Sequence, residues 1–274
     1  MSVNRLFTAY KPSSISCNGF LRGIKKKYGV KKVGYSGTLD PFASGNLIIA
    51  FGQYTKLFRF LKKSPKRYRA VLWLGAKSCS LDIERVESVD ELEPFDIGSI
   101  REAAKSLTGR LTYVPPKFSA KKIDGKRAYE LARLNKDVVL KEITTEVFCL
   151  EIKDYNHPFI TFEADVSEGG YIRSIGQMLA EKLGANGALK SLERLSEGEF
   201  FYDEEKELNP LDFLSLSENF YLKDKSDILL GRKLKKTDFQ FQEEREYFLR
   251  TDNYLSIIKI GCEAEYLLNK IELC

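Results

Sequence analysis

Two stretches of this 274-residue chain alternate residue by residue, and a third follows a different period. From Tyr68 to Leu74, the side chains Tyr68, Ala70, Leu72 and Leu74 share one side. From Phe159 to Val166, Ile160, Phe162, Ala164 and Val166 do the same. A period of two is that of a strand with one buried face. Directly afterwards Ile172, Ile175, Met178, Leu179 and Leu183 recur at helical spacing and stop near Gly184. Strand and helix periods so close together exclude all-helical and all-β folds and predict a mixed α+β chain.

The other segments fit that frame. Cys17, Phe20, Leu21, Ile24 and Tyr28 make a helical stripe ended by Gly29, and residues 46–51 form an apolar run suited to a buried strand. A short helix is expected over 55–61, another from Ile100 to Leu107 before Gly109, and a strand over 147–152. Residues 110–140 are basic and irregular around Pro115-Pro116, with a short helix-like run at 128–134. From Ser196 to Asp224 the chain turns acidic, which predicts a boundary. The tail carries short candidate strands at 246–250 and 256–261, with a turn at Gly231. The expected architecture is a catalytic unit of residues 1–215, with an insertion at about 110–140, and a small β-rich unit at 220–274.

Charge is distributed unevenly. Residues 1–70 hold fifteen Lys and Arg and a single carboxylate, Asp40, whereas the remainder holds more acids than bases. Lysine runs often only solvate a surface, but the clusters Lys25-Lys26-Lys27, Lys31-Lys32, Lys62-Lys63 and Lys66-Arg67-Tyr68-Arg69 also suit a polyanion such as nucleic acid. At 43% hydrophobic the chain can bury a sizeable core. No apolar stretch approaches the ~18 residues of a membrane span, and the first residues lack the apolar segment of a signal peptide. The expected setting is the cytoplasm, without a membrane partner.

Five scattered cysteines form no C-x-x-C pair, and His157 in an Asn-His-Pro turn is the single histidine. Disulfide frameworks, zinc sites, Ser-His-Asp triads and imidazole acid–base catalysis find no support in such a set. A catalyst here would use carboxylate, Tyr, Lys, Arg or backbone groups, with no metal or other cofactor expected. Gly34–Gly45 contains no phosphate-binding G-x-x-x-x-G-K-[ST] loop.

Asp40 therefore draws the eye. It precedes Pro41, which biases it toward extended backbone, and Gly37 and Gly45 allow tight turns or close approach of a ligand. On residues alone it reads either as a turn aspartate or as a fixed nucleophile or base. Arg173 opens the 172–183 helix, where a cation opposes the helix dipole by roughly 0.3–1 kcal/mol. It is either solvated or matched to a nearby anion, and an Asp–Arg pair would hold the aspartate pKa low. Tyr68, on the inner face of its strand, is either core or a ring able to stack on a base and accept a proton.

Together these segments resemble the TruB-type tRNA pseudouridine synthases across most of residues 6–200. The resemblance rests on Tyr10-Lys11-Pro12-Ser13-Ser14-Ile15-Ser16, on Gly34-Tyr35-Ser36-Gly37-Thr38-Leu39-Asp40-Pro41-Phe42-Ala43-Ser44-Gly45 and on Lys66-Arg67-Tyr68. It continues through Pro115–Ala120 with Gly125–Glu130, Gly170-Tyr171-Ile172-Arg173-Ser174 and Leu192-Glu193-Arg194-Leu195. It implies the pseudouridine synthase fold, a mixed sheet with flanking helices, and a shortened PUA-like RNA-binding unit in the tail. It also implies Asp40 as catalytic aspartate, Tyr68 as the stacking tyrosine and Arg173 as the partner of the aspartate. Lys11, Tyr35, Ser36, Gly37, Thr38, Tyr171 and Leu192 match residues that bind substrate or shape the pocket, and 110–140 matches an insertion that clamps the tRNA T-loop.

The implied reaction is isomerisation of a T-loop uridine (position 55) by a monomer acting on the T-arm, with no cofactor. Tyr35 departs from the family's usual histidine, Ser14 and Ser16 from Gly and Thr, Glu168 from a basic or small residue, and Glu193 from arginine. Three other readings stay open from the sequence. One is an RNA-binding protein without catalysis, and another is a pseudouridine synthase for a different RNA. The third is a glycosidase-like enzyme, which needs a second carboxylate such as Asp82 or Asp165 brought in by the fold.

Overall fold

Alternation is realised as a sheet whose two faces meet different neighbours. The computed structural model describes residues 4–118 and 140–273, together with the backbone of 122–123 and 126–127. The strands through the first half are β1 (Arg5–Lys11), β2 (Val33–Ser36), β3 (Ser44–Phe51), β4 (Lys66–Leu74), β5 (Ala76–Ser78), β6 (Val86–Val89), β7 (Gly109–Tyr113), β8 (Lys122–Ile123) and β9 (Lys126–Arg127). They continue as β10 (Ile143–Asn156), β11 (Phe159–Val166), β12 (Gly187–Glu197), β13 (Phe200–Phe201), β14 (Ser217–Glu218), β15 (Glu246–Thr251), β16 (Tyr254–Ile260) and β17 (Ala264–Glu272). Among the described residues the three longer helices are α1 (Cys17–Tyr28), α2 (Ile97–Lys105) and α3 (Ile172–Lys182).

The main sheet runs β1-β3-β12-β4-β11-β10-β7, with β2 also on β3 and β13 also on β12. Every pairing is antiparallel except β3 with β12, so the sheet is mixed at its centre. That parallel contact places β12, late in the chain, between two early strands.

α1 begins where Ser16 accepts a hydrogen bond from the Gly19 N–H (3.1 Å) and ends at Gly29, whose φ of 64° is the left-handed cap that glycine adopts without strain. Lys25, Lys26 and Lys27 in its last turn complement the helix dipole. The three helices pack on one sheet face, where Ile24, Ile100, Ile175 and Leu179 join Leu47, Ile49, Ala70, Leu72, Ile160 and Phe162. On the other face Leu6, Ile48 and Ala50 meet Leu255, Ile257 and Ile271 of a second sheet, ordered β14-β15-β16-β17.

Several expectations need adjustment. The helix expected over 55–61 is two 3₁₀ turns, Gly52–Lys56 and Phe58–Phe60, because buried Tyr54, Leu57 and Phe60 fold into the core at a tighter spacing than an α-helix allows. The helix-like run at 128–134 lies outside the described residues. Strands β1, β12 and β17 have no counterpart in the reading of periodicity. β12 is interrupted by two register shifts, which break its alternation.

Candidate active site

The loop between β2 and β3 carries Asp40, and two buried groups grip it from below. Lys11, wholly buried at the end of β1, donates to the carbonyls of Pro12 (2.9 Å), Ile15 (2.8 Å), Pro41 (3.5 Å) and Ala43. The Cys17 thiol, on the first turn of α1, accepts from the Leu39 N–H (3.2 Å) and donates to the Leu39 carbonyl (3.3 Å). The backbone on both sides of Asp40 is thus pinned. Burial pushes the Lys11 ammonium down from its usual value, which Cys17 and Asp40 partly counter.

Asp40 turns its side chain toward α3. The Nε of Arg173 lies 2.9 Å from Asp40 Oδ2, with Arg173 3% and Asp40 32% exposed. The remaining guanidinium nitrogens are also occupied. Nη1 donates to the Ser80 carbonyl (2.7 Å) and meets Asp82 Oδ2 (3.4 Å), and Nη2 donates to the Phe118 carbonyl (2.8 Å). Asp82 is itself fixed, capping the turn Ile83–Arg85 through Glu84 N–H and accepting from the Ser80 hydroxyl. The cation at the start of α3 is therefore balanced by two carboxylates.

The pairing does not lower the Asp40 pKa. Burial raises it, Asp82 adds to the rise, and Arg173 and Lys11 only restrain it. The expectation of a depressed value is corrected here: the arginine divides its charge between two acids, and desolvation of the carboxyl outweighs its share.

These groups open on a cavity of about 250 Å³ lined by Gly37, Thr38, Leu39, Asp40, Lys66, Tyr68, Glu168–Ile172, Arg173 and Leu192. That is smaller than the roughly 300–1,000 Å³ of most small-molecule pockets. The structure brings Asp40, Tyr68, Arg173, Gly37, Thr38, Tyr171 and Leu192 together on its wall. Lys11, Tyr35 and Ser36 stand outside it. Lys11 supports the loop from behind, Ser36 is buried in β2, and half-buried Tyr35 packs on the core with its hydroxyl 3.4 Å from Asn18 Oδ1. Tyr171 is held by a backbone N–H donated to the Tyr113 hydroxyl (2.9 Å), which in turn meets Thr145 (3.0 Å). At the rim, Lys63 neutralises Glu168 at 3.3 Å.

Gly37 and Gly45 serve the protein's own packing. A Cβ on Gly45, at φ 114°, would fall 2.3 Å from the Arg194 carbonyl, and one on Gly37 would fall 2.7 Å from Lys66 Nζ. The close approach that these glycines permit includes β12 and a buried charge cluster, and Gly37 also borders the cavity.

Beneath Tyr68, Arg194 donates to the carbonyls of Asn46 and Gly37 (both 2.9 Å) and pairs with Glu197. Burial opposes the Arg194 charge, but Glu197 and the Tyr68 phenol outweigh it and hold the guanidinium above its usual value. Sequence reasoning passed over Tyr113 and Thr145 altogether and met Glu197 only as part of the acidic stretch from Ser196 to Asp224. It met Lys66 and Arg194 only inside longer motifs and Asp82 only as a candidate second acid. The one signal available was that Lys66 and Tyr68 are two apart on a strand and so share a face. Asp82 does come to the site, but it is 2% exposed and absent from the cavity wall. Asp165 is absent from the wall as well, so neither acid named from the sequence lines the cavity beside Asp40.

Residues 25–172 match the family described as TruB family pseudouridylate synthase (N terminal domain). The chain is 52% identical over 270 residues to tRNA pseudouridine synthase B of a Nitratiruptor species, covering 98% of each. It is likewise 52% identical over 273 residues to tRNA pseudouridine synthase B of Campylobacter curvus, covering 99% of this chain and 100% of that one. Among solved structures, a chain of a Cbf5-Nop10-Gar1 complex superposes with a TM-score of 0.66 at 18% identity, covering 98% of this chain and 83% of that chain, a likeness of fold.

Proposed function

The chain belongs to the TruB family of pseudouridylate synthases, and from that premise we propose that it converts a uridine in the T-loop of tRNA into pseudouridine, with Asp40 as the group that acts on the nucleotide. The observation that carries this reading is the ion pair of Asp40 with Arg173 on the wall of a cavity that Tyr68 also lines. The target uridine leaves its stack at a cost of a few kcal/mol, and stacking on Tyr68 returns roughly 1–3 kcal/mol.

In the reaction the N1–C1′ bond breaks, the uracil turns in the pocket, and C5 joins C1′. C5 gives up a proton and N1 gains one, so the change is an isomerisation with no oxidant or reductant. Asp40 attacks C1′ or C6, or assists removal of a sugar proton, and Tyr68 is assigned to take the proton during the rearrangement. Tyr171, Leu192 and Ile172 exclude water, which would otherwise hydrolyse a sugar–enzyme intermediate. Lys11 and Cys17 keep the Asp40 loop rigid, and exposed lysines such as Lys25, Lys26, Lys31 and Lys32 contact phosphates. The sheet β14–β17 is assigned as a small PUA-like RNA-binding unit, beginning after residue 215. As a tRNA-modifying enzyme the protein is read as acting in the cytoplasm as a monomer. Among the described residues no helix is long and apolar enough to cross a membrane.

The test is tritium release from a T-arm hairpin carrying [5-³H]uridine. Wild type is expected to release tritium and Asp40→Ala to release none. Tight binding without release by wild type would favour an RNA-binding role or another RNA.

A further inference from the structure

β4 and β12 run antiparallel through the middle of the sheet, with Arg194 opposite Tyr68 and Glu197 opposite Lys66. In a regular strand, residues three apart face opposite ways. A register shift between Arg194 and Ser196 turns Glu197 back to the face that Arg194 occupies. The outcome is a buried charge cluster of which Lys66 borders the cavity. Lys66 Nζ lies 3.1 Å from Glu197 Oε2 and Arg194 Nη2 lies 2.8 Å from Glu197 Oε1, the three side chains being 7%, 1% and 0% exposed for Lys66, Arg194 and Glu197.

Two cations share one anion, so one positive charge is left over. Arg194 donates to the carbonyls of Asn46 and Gly37, pairs with Glu197 and interacts with the Tyr68 phenol. Lys66 borders the cavity, and among the described residues Glu197 is its one ion-pair partner. An ammonium carries three donors, so it can hold Glu197 and still offer an N–H to a group in the cavity. The Asp40–Arg173 pair does not involve Lys66, whose ammonium borders the same cavity.

We propose that Lys66 acts on the base itself, its ammonium stabilising the negative charge that the uracil acquires as it is released from or activated toward the sugar. This rests on the reading of the site as a uridine isomerase. Each route open to Asp40 makes the base anionic. When N1–C1′ breaks, the bonding pair stays on the uracil and spreads to O2 and O4. When a carboxylate adds at C6, the C5–C6 pair moves onto C5 and O4. Lys66 keeps its proton throughout and supplies a hydrogen bond to the anionic oxygen. The charge disappears when C5 bonds to C1′, a proton leaves C5 and a proton returns to N1.

The experiment compares wild type with Lys66→Met on two unmodified tRNA transcripts, one containing uridine and one containing 5-fluorouridine. Single-turnover rates are read as loss of the parent nucleoside in nuclease digests, and RNA affinity is read by filter binding. Fluorine draws charge from the ring, so its anion depends less on outside help. Lys66→Met is expected to slow uridine by about 10²–10³-fold, the usual cost of one donor to a developing oxyanion. The loss on 5-fluorouridine should be about tenfold smaller or less, with RNA affinity unchanged.

Equal losses on both transcripts, or a matching loss of RNA affinity, would overturn the proposal and leave Lys66 a packing residue. If Lys66→Met does not fold, Lys66→Arg keeps the cation and should hold the ratio of the two rates near wild type; a ratio shifted by tenfold would overturn the proposal. Conversion by wild type at a uridine outside the T-loop would sink the T-loop assignment and leave the Lys66 comparison intact. Absence of any conversion by wild type would overturn both.

Discussion

The Nε of Arg173 lies 2.9 Å from Oδ2 of Asp40, yet the Asp40 carboxyl sits above its ordinary pKa and not below it. Burial raises it, and Arg173 cannot fully compensate because Asp82 draws on the same guanidinium from the other side. The site thus keeps a carboxylate more basic than a solvent-exposed aspartate, which favours attack on carbon or removal of a proton.

Asp40→Asn should abolish tritium release and leave RNA affinity within about twofold, since losing one carboxylate within so basic a face removes no phosphate contact. The stability effect has a definite sign. A carboxyl whose native pKa is raised releases its proton first in the unfolded state. Its contribution therefore falls as pH rises from the unfolded value of about 3.9 toward the native one. The Asn variant should unfold at an equal or higher temperature than wild type at pH 7. A clear drop in Tm would show that Asp40 is needed to balance Arg173.

Asp82→Asn removes a charge that raises Asp40. The acid limb of the single-turnover rate, which rises as Asp40 ionises, should move to lower pH. The plateau should fall by about 10²-fold, because Arg173 loses the partner that fixes it and small misplacements near the chemistry are costly. A rate profile from pH 4 to 8 checks both, and an acid limb that moves upward would refute the electrostatic account.

Glu197→Gln leaves Lys66 and Arg194 as neighbouring buried cations, and removing one partner of a buried ion pair typically costs about 3–5 kcal/mol. Urea unfolding should show a loss of that size, whereas Lys66→Met, which leaves Arg194 and Glu197 paired, should cost less. The reverse order would mean that the cluster is not held by Glu197.

Gly45→Ala should be among the most damaging single changes in the sheet. Its φ of 114° costs a side chain about 1–3 kcal/mol, and the new Cβ would meet the Arg194 carbonyl at 2.3 Å, forcing β3 from β12. The measurement is the urea midpoint, and a variant as stable as wild type would contradict the observed strand contact.

The lysine run at 25–27 separates into two kinds of residue. Lys25 and Lys26 are exposed, while Lys27 pairs with Glu205, which the Tyr28 hydroxyl also contacts. Alanine at Lys25 and Lys26 should flatten the salt dependence of RNA binding by about one log–log slope unit for each phosphate that is no longer neutralised. Lys27→Ala should change it less, and equal effects would place all three on the RNA.

The chain's own residues determined its local structure. Period-two alternation marked β4 and β11, period-3.6 stripes marked α1 and α3, and Gly34–Gly45 in a segment with one carboxylate marked the loop that carries Asp40. Each signal is local, because side-chain direction within a helix or strand follows from backbone geometry over a few residues. The tertiary structure alone decided the company that Asp40 keeps. Arg173 follows it by more than a hundred residues, and Asp82 reaches the site through a turn that no periodicity describes. Glu197 faces Lys66 only because a register shift in β12 reverses its side, which erases the alternation that would have announced it. Long-range pairing and desolvation depend on which surfaces meet, and that depends on the packing of the whole sheet. This is why the carboxylate could be found by inspection of the sequence, while the direction of its pKa could not.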